Sequence, residues 1–214
     1  MTPPTLRRVL HPLYRHLESK VHPLRYLFLE ITRLCNLDCR HCGSDCGAEL
    51  LDGALTTGEW LGMVDTVART APRAGLQLVI TGGEPLCHPD LDAIVGRIQG
   101  HGLPWGMVTN GWLLTRERAE TLLRLGMRSV TLSLDGLEAT HDRFRGRAGS
   151  WQRAVEGLRH LVALRATALD VVTCAFPENL GELDELKSIL EAIGVSRWRI
   201  FPIFPKGRAR EDEA

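Results

Sequence analysis

Short apolar runs alternate along the chain with stretches in which apolar residues recur every three or four positions, the patterns of buried strands and amphipathic helices. The first run, Tyr26-Leu27-Phe28-Leu29-Glu30-Ile31, leads into a loop of cysteines. Thr56-Thr57-Gly58-Glu59 has the form of a capping box, and Trp60, Val64 and Val67 follow it at helical spacing. Gly75 ends that pattern, and Leu76 to Ile80 reads as a buried strand stopping in Thr81-Gly82-Gly83. Leu91, Ile94, Val95 and Ile98 mark the next helix, opened by Pro89-Asp90 and closed by Gly100 and Gly102. The unit then repeats: a strand over Trp105 to Val108, a helix from Thr115 through Leu122, Leu123 and Leu125, and a strand over Ser129 to Leu134. A helix carrying Val155, Leu158 and Val162, a strand over Leu169 to Thr173, a helix through Leu183, Leu186, Leu190 and Ile193, and a strand over Trp198 to Phe201 complete the series. The pattern predicts six strands alternating with five helices.

Strands joined by helical crossovers pair in parallel, and the crossovers are right-handed in almost all cases. The expected fold is therefore α/β, an open or partial (β/α)6 TIM-like barrel with parallel strands. A doubly wound dinucleotide-binding sheet is the alternative, but no GxGxxG follows the first strand, where the cysteine loop stands instead. In parallel sheets the C-terminal strand ends share one rim, where sites are built. That rim receives the cysteines, Gly82-Gly83-Glu84, Asn110-Gly111 and Asp135-Gly136 from the first four strands in turn.

At 214 residues, 44% hydrophobic, the chain can bury one substantial core, though it is small for a closed eight-stranded barrel. The 26 basic and 26 acidic residues balance, so there is no global electrostatic case for nucleic acid as a partner. No apolar stretch reaches the roughly 20 residues of a membrane span, and the N-terminus lacks the apolar region of a secretory signal; a cytoplasmic protein is expected. Three of the six cysteines crowd one loop, which fits metal binding in a reducing compartment better than a disulfide framework. Residues 1–23 carry Arg7, Arg8, Arg15 and Lys20 against Glu18, with a partial apolar stripe at Leu6, Val9, Leu10, Leu13 and Leu17 that Pro12 is expected to interrupt. They read as a basic arm outside a core domain spanning 24–205, with 206–214 as a charged tail.

Cys35, Cys39 and Cys42 stand at CxxxCxxC spacing. Three thiolates so close can converge on one metal centre but do not readily supply a fourth ligand, whereas structural zinc is normally closed by four. Three suit a cubane iron–sulfur cluster with one iron left open; a zinc knot or free buried thiols are the alternatives. Gly82 and Gly83 permit close backbone approach, and Ser133 and Asp135, two apart on a strand, share a face. Asn110 suits either a turn or a ligand contact.

With Thr81-Gly82-Gly83-Glu84-Pro85, Thr109-Asn110-Gly111 and Ser133-Leu134-Asp135-Gly136 downstream of that spacing, the chain resembles the radical S-adenosylmethionine (radical SAM) superfamily from about Leu27 to about Phe204. The resemblance implies a six-stranded partial barrel, a four-iron, four-sulfur (4Fe-4S) cluster on Cys35, Cys39 and Cys42, and S-adenosylmethionine (SAM) on the open iron. It implies reductive cleavage of SAM to a 5′-deoxyadenosyl radical that takes hydrogen from a substrate, with a flavodoxin- or ferredoxin-type electron donor. An iron–sulfur or zinc protein serving electron transfer or partner binding is the alternative. Gly82, Gly83 and Glu84 become candidates for the methionine end of SAM, Ser133 for its ribose or carboxylate, and Asn110 for SAM or substrate. Asp135 either contacts SAM or holds its own turn. His141-Asp142-Arg143-Phe144-Arg145-Gly146 resembles the HDxxRG stretch of peptide-modifying and cofactor-building members, so a peptide or cofactor precursor is the implied substrate, and Arg145 either meets the SAM carboxylate or is solvated. Cys46 is expected to be a spare thiol, and Cys87 and Cys174 small buried hydrophobes. Many members with this Arg-Gly stretch continue into a cysteine-rich domain, often called SPASM; this sequence is expected to be either a fragment or a short member.

Overall fold

A computed structural model describes residues 4–18, 24–48, 53–71, 75–166 and 168–213. Helix α1 (Pro4–Glu18) comes first, followed by β1 (Tyr26–Thr32), α2 (Thr57–Thr70), β2 (Gln77–Gly82), α3 (Leu91–Gly100) and β3 (Trp105–Thr109). Next are α4 (Arg116–Arg124), β4 (Met127–Ser133), α5 (Glu138–Arg145), α6 (Ser150–Ala163), β5 (Leu169–Ala175), α7 (Leu183–Ile193) and β6 (Trp198–Pro202). The strands form one sheet in the order of the chain, β1 to β6, every neighbour parallel. Pairing runs from β1 to β6 without joining those two, so the sheet is a partial barrel open along one side.

Alternation along each strand sorts the residues. Leu29, Ile31, Leu78, Ile80, Leu132 and Val171 face the helices and are buried in the core with Ile94, Leu122 and Leu158. The opposite face lines a lumen of about 640 Å³ that includes Phe28, Gln77, Ser129, Thr131, Asp170 and Arg199. It is polar as well as apolar: the Gln77 amide donates to Ser129 at 2.6 Å, and the Thr131 hydroxyl donates to Asp170 at 2.7 Å. No described helix is long and apolar enough to cross a membrane.

Helix starts follow local chemistry. Thr56 and Glu59 form the expected capping box, the Thr56 hydroxyl accepting from the Glu59 N–H and the Glu59 carboxylate from the Thr56 N–H, and the Thr115 hydroxyl caps α4 by accepting from the Arg118 N–H. Three expectations are corrected. Pro12 does not break the N-terminal helix; it forgoes one backbone donor and α1 runs on, with Leu10, Leu13, Tyr14 and Leu17 exposed, while 1–3 and 19–23 of the arm, with Pro3, Lys20 and Pro23, lie outside the described residues. Helix α5 was not foreseen among the five crossover helices, because its buried face is Thr140, His141, Phe144 and Arg145, which carries almost no apolar period. The segment read as a charged tail folds back as a 3-10 turn over Gly207–Glu213, in which Ala209 is buried; Ala214 lies outside the described residues.

Candidate cluster site

The cysteine loop lies beyond the C-terminal end of β1 and is held by backbone on several sides. The end of β2 grips its base: the Gly83 and Glu84 N–H groups each donate at 2.8 Å, to the Thr32 and Leu34 carbonyls. A Cβ on Gly82 would run into the Thr32 carbonyl and one on Gly83 into that of Leu34, and Gly82 has φ +142°. The two glycines are therefore required by the loop's close approach as well as by any ligand. The C-terminus of α5 backs the loop's middle, its free carbonyls on Phe144 and Arg145 accepting from the Arg40 N–H at 3.0 Å and the Asp38 N–H at 3.2 Å. Arg147 lies over the Trp112 ring, 3.7 Å from its centroid, and donates to the Asn36 carbonyl at 2.7 Å.

So held, the loop turns Cys35, Cys39 and Cys42 into a cavity of about 230 Å³ shared with Gly82, Gly83, Asn110, Ser133 and Arg145. Burial pushes the Cys35 thiol up to about 11 and raises that of Cys39, against the pull of Arg145, whose guanidinium lies 3.7 Å from the Cys39 sulfur. Cys42 goes the other way, down to about 5, because the Cys46 thiol and N–H both hydrogen-bond to its sulfur, the N–H at 3.3 Å. Cys46 is buried but lines the same cavity, and its own thiol is raised by that bond to Cys42.

Three thiolates on one zinc, each about 2.3 Å from it, would sit about 3.8 Å apart. The sulfurs of Cys35, Cys39 and Cys42 are not all within 4.8 Å of one another; among the described residues the group of three that is consists of His41, Asp135 and Cys174. The wider spread of the loop cysteines fits a cubane, which is broader than a single ion. The tighter group is occupied already, because Arg145 chelates Asp135 through Nε, at 2.6 Å, and a second guanidinium nitrogen.

Of the other expected site residues, Glu84 and Asp135 turn away from the cavity. The fully buried Glu84 carboxylate accepts from the Asn110 N–H at 2.7 Å, the Thr109 hydroxyl at 2.8 Å and the Leu86 N–H at 3.1 Å, tying β2 to β3; burial outweighs those bonds and lifts it to about 6. Asp135 holds its own turn: besides Arg145 it accepts from the Cys174 N–H at 2.8 Å, and its carbonyl accepts from Asn179 at 2.7 Å. Burial works against its charge, but the Arg145 guanidinium above all outweighs that and holds its carboxyl below the usual carboxylate range. Arg145 is thus buried and paired with Asp135 while it also lines the cavity. Asn110 takes the turn role foreseen for it, its Oδ1 accepting from the Trp112 N–H at 2.9 Å, and its amide also donates to Asn36 at 2.8 Å while lying 3.9 Å from the Cys35 sulfur.

Two residues escaped the sequence reading. His41, between two of the thiols, lines the cavity and stacks on Phe144 at 4.3 Å, which stacks on Phe176 at 3.9 Å; burial holds it neutral, down to about 4. Its place inside the cysteine spacing was the available signal. Arg208 reaches the loop from the chain's far end, and no local pattern marks it.

His141 gives the site a pH dependence. Its Nδ1 accepts from the Asp135 N–H at 3.0 Å and its Nε2 is buried, so burial drives its pKa down to about 3. A histidine whose folded pKa lies below its unfolded one stabilises the fold above about pH 6.5 and loses that contribution as pH falls towards the folded value. Between pH 7 and pH 5 the loss is about 2 kcal/mol. Urea denaturation at both pH values is expected to show a difference smaller by about that amount in His141→Asn, whose side-chain oxygen can replace Nδ1 without titrating.

A family model described as the radical SAM superfamily matches residues 29–190, which include all three loop cysteines and every motif described above. The chain belongs to the radical SAM superfamily. Radical SAM relatives include the AdoMet-dependent heme synthase of Oleidesulfovibrio alaskensis, 31% identical over 199 residues covering 92% of this chain and 50% of that protein. The mycofactocin maturase MftC of Mycobacterium tuberculosis is 30% identical over 212 residues, 99% of this chain and 51% of the maturase. The chain spans about half the length of the curated relatives it matches. Its fold is similar to that of SuiB from Streptococcus suis, in structures bound to S-adenosylmethionine and to precursor peptide SuiA: TM-scores of 0.72 and 0.73, 15% identity, 95% and 96% of this chain, 48% and 46% of SuiB.

Proposed function

We propose that Cys35, Cys39 and Cys42 hold a 4Fe-4S cluster which, reduced by a flavodoxin- or ferredoxin-type donor, cleaves SAM to a 5′-deoxyadenosyl radical that abstracts hydrogen from a peptide or cofactor precursor. The observation that carries this reading is that three loop thiols, not all within 4.8 Å of one another, line one cavity with Gly82 and Gly83. In it Gly82 and Gly83, which line the cavity, meet the methionine end of SAM, and Ser133 reaches its ribose or carboxylate. Asn110 orients Cys35. Glu84, Asp135 and Arg145 act through others, as positioning residues: Glu84 fixes Asn110, and the Asp135–Arg145 pair fixes the α5 end that backs the loop. The heme synthase and the maturase, by name, and SuiB with its precursor peptide support a peptide or cofactor precursor as substrate class. In this reading 24–205 is the catalytic core and 1–23 an accessory arm.

The test is anaerobic. Protein reconstituted with iron and sulfide, then given dithionite and SAM, is expected to release 5′-deoxyadenosine, read by chromatography. A fully loaded sample that releases none would favour the electron-transfer reading.

A further inference from the structure

Within the cysteine loop the Cys42 N–H donates to the Cys39 carbonyl at 3.2 Å and the Asp45 N–H to the Cys42 carbonyl at 3.4 Å, and the same carbonyls are also met from a distant part of the chain. The Arg208 N–H donates to the Cys42 carbonyl at 3.1 Å. Its Nε donates to the Cys39 carbonyl at 2.9 Å, and one terminal nitrogen to the Cys46 carbonyl, also at 2.9 Å. One residue thus ties down the backbone of two candidate ligands and of the cysteine that hydrogen-bonds to Cys42. The guanidinium is suited to this, since its donors are fixed in a planar fork that can serve two carbonyls together. Asp38 and Asp45 also lie within ion-pair reach, at 3.4 and 3.2 Å, but their side chains are 80% and 67% exposed, so they add little to the hold.

The approach is built for the purpose on both sides. Gly207 has φ +57°, and a Cβ there would run into the Cys42 carbonyl and crowd that of Gly43. Ala209, next along, is buried, so the turn is packed and not merely draped. Arg208 also lines the cavity itself, which places a fixed positive charge beside the thiols.

We infer that Gly207-Arg208 is a clasp on the cysteine loop and that Arg208 is a positioning residue with two separable effects. Its hydrogen bonds keep the loop in its ligand-ready shape before any cluster is bound, and its charge favours the reduced state of the cluster once bound. The second effect rests on Cys35, Cys39 and Cys42 being the ligands; the first does not.

The experiment uses the full chain with Arg208→Gln and Arg208→Lys. In cluster-free protein, hydrogen exchange of the amides between residues 35 and 47 is expected to rise about tenfold or more in both variants, with the strands unchanged. In anaerobically reconstituted protein, a redox titration followed by electron paramagnetic resonance is expected to give a more negative cluster potential for Arg208→Gln. Arg208→Lys, which keeps the charge and loses the fork, should stay near the parent. Unchanged loop exchange in both variants would overturn the clasp, and so would global unfolding of both, which would make Arg208 a pillar of the whole fold. A parent protein that assembles no four-iron cluster would instead sink the ligand reading, leaving the exchange result to decide the clasp alone.

Discussion

Alanine at Cys35, Cys39 or Cys42 is expected to take the reconstituted protein from about four irons per chain to nearly none, and 5′-deoxyadenosine release with it. The three thiols share one cavity, and two thiolates leave a cubane with two uncoordinated corners open to solvent. Cys46→Ala is the internal control. Cys46 lines the same cavity, but its thiol donates to the Ser44 carbonyl at 3.9 Å, and the N–H that reaches the Cys42 sulfur belongs to the backbone and survives the substitution. Cys46→Ala should therefore keep its iron, as should Cys87→Ala and Cys174→Ala. Iron and sulfide analysis checks all six variants, and a Cys46→Ala protein as empty as Cys42→Ala would mean that four cysteines, and a closed site, had been misread as three.

The second large effect is on stability. Arg145→Met leaves the Asp135 carboxylate, whose side chain has no exposed surface, without its bidentate cation. Breaking a buried pair from one side costs about 3–5 kcal/mol, because the remaining charge is stranded in low dielectric. Urea denaturation of cluster-free protein should show a loss of that size, and Asp135→Asn added to Arg145→Met should recover much of it, since no charge then remains to be stranded. Were Arg145 instead a contact for the SAM carboxylate alone, Arg145→Met would unfold like the parent and differ only in SAM affinity.

The contrast between these residues shows where the sequence was legible. Apolar alternation and the Thr56, Thr115 and Gly100 signals were enough for six parallel strands and most of their helices, because burial against helices is a one-dimensional pattern that local periodicity records. The rim followed from the topology, and with it the company kept by the cysteines, Gly82, Gly83, Asn110 and Ser133. Helix α5 did not follow, because its inward face is polar, held by Asp135 just before it and by Glu182, 42 positions from the Thr140 hydroxyl that donates to it, so no apolar period marks it. The same is true of Glu84 and Asp135. Their residue types announce a site, but whether a buried carboxylate faces the cavity or the strand beside it depends on which donors the fold supplies. Arg208 is the extreme case, 169 positions from the Cys39 carbonyl it holds, where only the folded chain relates them.

The central claim is a cluster with an iron open to SAM, and electron paramagnetic resonance of the reduced protein addresses it most directly. Anaerobically reconstituted protein, reduced with dithionite and frozen with and without SAM, is expected to show a reduced cubane signal whose g-values move when SAM is added. A fully loaded, fully reduced sample with the same spectrum in both cases would contradict the account.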